Sequence, residues 1–240
     1  MSSTETLAPV GAVASPDKKT IRQLFDAIAA RYDFLNTFLS LTLDESWRRR
    51  ARDLIAHGAD KSILDLGVGT GRFLNLFLEN PSLERAVGLD FSGKMLQKAN
   101  QELSARVELV QADFHDLPFQ DASFELVVSS FTLRSVKDLP HFFGEVHRLL
   151  VDGGRAGFLC LTRPEHPLWK WIYFPYLKFY LPFMGRLISG NLQAYQFLSA
   201  SVQTFQEPAS TAEMMRQTGF REVEVHAFTF GCATLFLGRK

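Results

Sequence analysis

The 240-residue chain has only two cysteines, Cys160 and Cys232, far apart and in apolar surroundings. Neither stands at a metal-ligand spacing, so the pattern points away from a disulfide framework or a zinc site and toward reduced core thiols. Charge of one sign is also missing. The 26 Lys and Arg balance 26 Asp and Glu, which leaves no broad basic field for nucleic acid, and no nucleic-acid partner is expected. The first 19 residues lack the charged-then-apolar order of a signal peptide, so the cytoplasm is the expected location. The six histidines show no ligand spacing. His141 and His147 fall six apart on one helix, hence on different faces, and no metal is expected.

What is present is enough apolar content, 46%, to bury a sizeable core in one larger domain or two small ones. Residues 1–18 read as a disordered tail, and 19–240 as a single domain. Ile21, Leu24, Phe25 and Ile28 recur at helix spacing, as do Leu35, Phe38 and Leu39. Asp44 is expected to cap a third helix through Trp47, Ala51 and Leu54, which ends near Gly58 and completes an N-terminal helical part over 19–60. Strands and helices then alternate. "SILDL", "AVGLD", "VELVQ", "FELVVSS" and "AGFLCL" read as strands. Helices are expected over Arg72 to Leu78, from a Ser92 cap through Leu103, and over Phe142 to Leu150, the last stopped by Gly153 and Gly154. "REVEVHAF" and "ATLFLG" read as a final antiparallel pair. This alternation predicts a doubly wound α/β fold with seven strands and an antiparallel last strand.

In such a sheet a ligand sits at the carboxyl ends of the strands, beside the first one. There the sequence runs Asp65-Leu66-Gly67-Val68-Gly69-Thr70-Gly71-Arg72. The third glycine of a dinucleotide fingerprint would be needed at Arg72, and no Gly-Lys-Ser/Thr follows to make a P-loop. Asp90 ends the next strand roughly 20 residues on, where an acid that holds a ribose belongs. Asp113 is placed at the end of the third strand. Three acids at successive strand tips suit a ribose diol, an exocyclic amine and a cationic amino acid end, and they repel a pyrophosphate. S-adenosylmethionine is the ligand with those parts.

From Thr20 to Lys240 the chain resembles the UbiE/MenG-type quinone C-methyltransferases, class I methyltransferases of ubiquinone and menaquinone synthesis. The resemblance is carried by "FDAIAARYDFLNTFLSLTLDESW", "LDLGVGTG", "ADFHDLPF", "SSFTLRSV", "RLLVDGGR", "AYQFLSASV" and "TFGCATLFLGRK". It implies a Rossmann-like methyltransferase fold. It also implies that Thr70, Asp90, Asp113, Phe114 and Ser130 touch the cofactor beside Asp65, Gly67 and Gly69, with Asp90 on the ribose and Asp113 and Phe114 against the adenine. The implied acceptor is a prenylated quinol, demethylmenaquinol or the ubiquinone-pathway benzoquinol. The chain departs from the family pattern where Asp44 replaces His, Ser135 replaces Asn, Cys160 replaces Glu, Thr162 replaces Ser, and Val151-Asp152-Gly153-Gly154 replaces Lys-Pro-Gly-Gly.

A ring carbon becomes nucleophilic when a neighbouring phenol hydroxyl gives up its proton, so the site must stabilise an aryloxide. Arg134, just past the fourth strand, is assigned that catalytic role; a guanidinium stays protonated and is a poor base. Tyr32 and Asn36 are expected in the acceptor pocket. The late segment "PLWKWIYFPYLKFYLPFMGRLI" is interrupted by Lys170, Lys178 and Arg186 and broken by Pro175 and Pro182, so it does not span a membrane. It reads as part of a helical acceptor lid over 163–206. Trp169, Trp171, Phe174 and Phe179 are placed as apolar walls, and the cations as contacts for the inner face of the membrane. Peripheral membrane contact and a homodimer are the associations considered. Two other readings stay open: methylation at O or N of another lipid-like or small aromatic acceptor, and a cofactor-binding assembly partner without catalysis.

Overall fold

The computed structural model describes residues 40–164, 167–180 and 199–240, together with Asp26, Asp33, Thr37 and Phe38. The tail expected over 1–18, most of the first two helices, and Tyr32 and Asn36 lie outside the described residues, as does the part of the lid over 181–198.

The seven strands anticipated from the sequence are present: β1 (Ser62–Leu66), β2 (Arg85–Asp90), β3 (Val107–Gln111), β4 (Phe124–Ser130), β5 (Leu150–Leu161), β6 (Arg221–Phe228) and β7 (Ala233–Arg239). They form one sheet in the order β3-β2-β1-β4-β5-β7-β6. The first five are parallel, while β7 pairs antiparallel with both β5 and β6. The helices are α1 (Leu43–Ile55), α2 (Arg72–Asn75), α3 (Gly93–Glu102), α4 (Leu139–Leu149), α5 (Pro167–Pro175) and α6 (Pro208–Gln217). A further helical segment is described at 199–204.

Strands that alternate their side chains between two covered faces have to be apolar throughout. Ile63 joins Trp47, Ala51, Ile55, Phe73 and Phe77 on the face covered by α1 and α2. Leu64 and Leu66 join Phe142, Phe143, Val146 and Phe158 on the face covered by α4. The wealth of phenylalanine serves this core first, since Phe73, Phe124, Phe142, Phe143, Phe158 and Phe236 are all fully buried.

Several boundaries differ from expectation. Asp44 is not the N-cap of α1. Thr42 holds that position with φ +66 and no capping side chain, and Asp44 lies in the first turn, bonded to the Ser40 hydroxyl at 2.9 Å. α2 stops at Asn75 and continues in tight turns, with Leu76 and Phe77 donating to Phe73 and Leu74 three residues back. α4 stops at Leu149 without help from glycine. Leu150 is fully buried and pairs with Phe124, which draws the chain straight into β5. Gly153 and Gly154 then lie inside β5, where the pairing shifts register before Arg155 meets Leu126. Asp113 is two residues beyond the end of β3 rather than at it.

Candidate active site

The chain reverses sharply between β1 and α2. Gly67, Gly69 and Gly71 all take positive φ, +77, +56 and +90. A Cβ on Gly67 would collide with Thr132, and one on Gly71 with Leu103, so packing as well as backbone fixes those two. A Cβ on Gly69 would meet nothing closer than 4.0 Å, so the turn presents open space there. The Gly69 N–H donates to Asp90 at 2.9 Å, and so does the Ser92 N–H, also at 2.9 Å. These bonds fix the Asp90 carboxylate at the tip of β2. The Ser92 hydroxyl caps α3 as expected, accepting from the Met95 N–H at 3.2 Å.

Burial sets the electrostatics. Desolvation, then the neighbouring Asp90, pushes the Asp65 carboxyl up to about 8, although Arg48 and the Leu74 amide pull the other way. Neither Asp65 oxygen completes a hydrogen bond among the described residues. Asp90 rises to about 6 for the same first reason, held back by the Ser92, Gly69 and Phe91 amides and raised further by Asp26. Asp26 accepts from Ser92 Oγ at 2.5 Å; Asp33 accepts from Thr70 Oγ1 at 2.7 Å and pairs with Lys98 at 3.4 Å. The N-terminal segment thus brings two more acids to the strand tips, which the sequence reading missed. The signal for one of them was the Tyr-Asp pair that ends in Asp33.

Asp113 accepts from both the backbone N–H and the ring of His115, at 3.1 and 2.8 Å. Phe114 is buried and meets Phe142 edge to face, with centroids 5.9 Å apart. Ser130 is the last residue of β4. Asp65, Gly67, Gly69, Thr70, Asp90 and Ser130 therefore gather at one end of the parallel strands, with Asp113 beyond the neighbouring tip. A cavity of about 800 Å³ lined by Asp33, Thr37, Thr70, Arg72 and Glu102 includes none of Asp65, Asp90 and Asp113. The residues fit S-adenosylmethionine by two features: an open approach at Gly69, and buried acid oxygens in want of donors.

Arg134 sits in the 3₁₀ turn Leu133–Ser135 just after β4. One terminal nitrogen donates to the Ser201 hydroxyl at 2.5 Å and the other to the Phe131 carbonyl at 3.2 Å, while its Nε is buried without a partner. The guanidinium also lies against Cys160, whose thiol burial pushes up to about 12. Among the described residues no carboxylate pairs with Arg134. Tyr173 of α5 faces Arg134, Cys160 and Cys232, and desolvation raises its phenol well above the usual range. Both cysteines are free, Cys160 buried and Cys232 half-buried.

Of the residues placed as lid walls, Trp169 stacks on Phe230 with centroids 4.2 Å apart and Phe174 is half-buried. Trp171 is 81% exposed and Phe179 65%. Both side chains therefore meet solvent rather than an apolar wall of described residues. Among the described residues no helix is long and apolar enough to cross a membrane.

The same fold occurs in a Thermotoga maritima protein described as a possible histamine N-methyltransferase, with TM-score 0.67 and 18% identity over 92% of this chain and 99% of that one. It recurs in human N-acetylserotonin methyltransferase bound to S-adenosylmethionine, with TM-score 0.60 and 18% identity over 91% and 59%. Fold and site together define a class I, S-adenosylmethionine-dependent methyltransferase. Residues 13–240 match the ubiE/COQ5 methyltransferase family, and the chain belongs to that family. Among its relatives, the demethylmenaquinone methyltransferase of Thermus thermophilus is 39% identical over 90% of this chain and 99% of its own length. That of Deinococcus radiodurans is 38% identical over 98% of both. A ubiquinone/menaquinone biosynthesis C-methyltransferase from Geotalea daltonii is 36% identical over 92% and 96%.

Proposed function

We propose that this enzyme methylates a ring carbon of a reduced, prenylated quinone precursor, demethylmenaquinol to menaquinol or its benzoquinol counterpart in ubiquinone synthesis. The names of the relatives support the substrate class. The observation that carries the reading is that Arg134 bonds only neutral groups, Ser201 and Phe131, among the described residues. Where the family usually has Glu, this chain has Cys160, a thiol held neutral by burial, and among the described residues no carboxylate cancels the guanidinium. An aryloxide would supply that anion, and a half-buried cation is worth more to it than one in water.

Asp65, Gly67, Gly69, Thr70 and Ser130 would hold the amino acid end of the cofactor, Asp90 the ribose hydroxyls, and Asp113 and Phe114 the adenine. The bound cofactor supplies an electrophilic methyl on a sulfonium. Arg134 holds the ring oxygen as its proton leaves to water, and the lid excludes solvent from the ring. Trp169 and Phe174 belong to the inner side of that lid, and Tyr32 and Asn36 to the acceptor pocket. Trp171, Phe179 and Lys178 belong to an outer side that rests on a membrane surface. Mass spectrometry of quinones from a strain lacking the gene tests the reading. The expected result is a quinone short of one methyl, restored by the intact gene, and an unchanged quinone pool would rule the reading out.

A further inference from the structure

Behind the lid, a cavity of about 480 Å³ lies between α5 and the β6–β7 end of the sheet, lined by Arg163, Trp169, Val225, Ala227, Phe230 and Thr234. Its polar groups are already engaged. Arg163 donates to the Gln203 and Phe205 carbonyls at 2.9 and 3.0 Å, which leaves its carbon stem to the wall. The Thr234 hydroxyl meets that of Thr162 at 2.7 Å, and Thr162 also donates to the Gly231 carbonyl at 2.8 Å. The rest of the lining named above is apolar carbon, which suits a hydrocarbon better than a polar ligand.

The turn between β6 and β7 is strained to build this cavity. Thr229 and Phe230 take φ +46 and +57, conformations that non-glycine residues rarely adopt. The result is a Phe230 ring that is 63% exposed, yet stacked within 13° of parallel on Trp169. The cavity and the Arg134 site are both served by α5, which carries Trp169 in the cavity lining and Tyr173 within electrostatic reach of Arg134. Gly231, part of the cavity lining, precedes Cys232, and the Tyr173 phenol feels both Cys232 and Arg134. Trp169 and Tyr173 are four apart on α5, so they share one face of that helix about 6 Å apart along its axis.

We infer that this cavity holds the prenyl tail of the acceptor while its ring lies at Arg134. The inference rests on the prenylated acceptor proposed above and assigns the tail a path through Trp169 and Phe230, in place of the exposed Trp171 and Phe179. Apolar burial grows with each isoprene unit that enters, so affinity should grow with it until the cavity is filled.

The test is steady-state kinetics on demethylmenaquinols carrying one, two and four isoprene units, for the intact enzyme, Ala227→Trp and Phe230→Ala. Ala227 and Phe230 are both exposed, so neither change enters the core, and calorimetry with S-adenosylmethionine checks the fold. In the intact enzyme KM should fall at least tenfold from one unit to four. In both variants that ratio should shrink to threefold or less. A wild-type ratio retained in both variants overturns the tail site, as does an intact enzyme whose KM ignores tail length; the ring assignment survives either result. Failure of the intact enzyme to methylate any of the three overturns both.

Discussion

At the residue scale, Asp90 serves cofactor binding and Arg134 serves catalysis in the proposed function. Asp90→Ala removes a carboxylate placed for charge-assisted hydrogen bonds, each worth roughly 1.5–3 kcal/mol. Calorimetry should show S-adenosylmethionine binding weakened at least tenfold. Arg134→Ala should leave that affinity within twofold and lower turnover on reduced quinone by about a hundredfold, the size of effect seen when one oxyanion donor is lost. Survival of turnover within threefold would make Arg134 structural. Asp65 gives a pH signature. Its folded value of about 8 lies far above the ordinary carboxylate value, so the folded protein binds the extra proton between pH 4 and 8. Stability of the ligand-free enzyme should therefore fall as pH rises through that window and level off above it, while Asp65→Asn should flatten the curve. A melting temperature with the same pH dependence in both proteins would mean that Asp65 is already ionised. These acids were legible in the sequence because strand ends and glycine spacing mark them. The contribution of Asp26 was not, since its place beside Ser92 depends on a long-range return of the chain.

At the scale of elements, the sequence reading of Asp44 as a helix cap missed its main role. Asp44 is buried with Arg48 at 2.6 Å, and Arg72 reaches the same oxygen at 3.3 Å while also bonding Thr37 and Glu45. Arg72 is the residue standing where a dinucleotide loop would need glycine, and here it ties the glycine turn to α1. Removing one partner of a buried ion pair costs about 3–5 kcal/mol, because the remaining charge stays buried. Asp44→Ala should accordingly lower the melting temperature by roughly 10 °C. A shift under 2 °C would show that solvent reaches Arg48 and Arg72 freely. Strand positions were read well because period-2 and continuous apolar runs are local signals. The stop of α4 was not, because it depends on Leu150 pairing with Phe124, a contact that a glycine-based rule cannot see.

At the scale of the whole molecule, the lid proposed over 163–206 would keep two tasks on two sides. Tyr173 and Trp169 are half-buried, whereas Leu168, Trp171 and Phe179 are exposed, with the Lys178 ammonium 5.5 Å from the centre of the Phe179 ring. Exposed aromatics beside a cation suit the headgroup zone of an anionic bilayer. Sedimentation with vesicles containing anionic lipid should pull down the intact enzyme, and the double change Trp171→Ser with Phe179→Ser should release most of it without altering S-adenosylmethionine affinity. Equal sedimentation of both proteins would remove those rings from any membrane contact.

The order of the strands has a consequence in time. β7 follows β6 in the chain yet lies between β5 and β6, bonding both along their length. During synthesis β6 therefore leaves the ribosome ahead of the strand that will anchor it to the sheet. Until β7 arrives, β5 carries an open edge at Phe158 and Cys160, and the Trp169–Phe230 stack has no fixed turn to rest on. The nascent chain can build the cofactor half of the sheet first, but α5 acquires its footing on Phe230 only when β7 slides in.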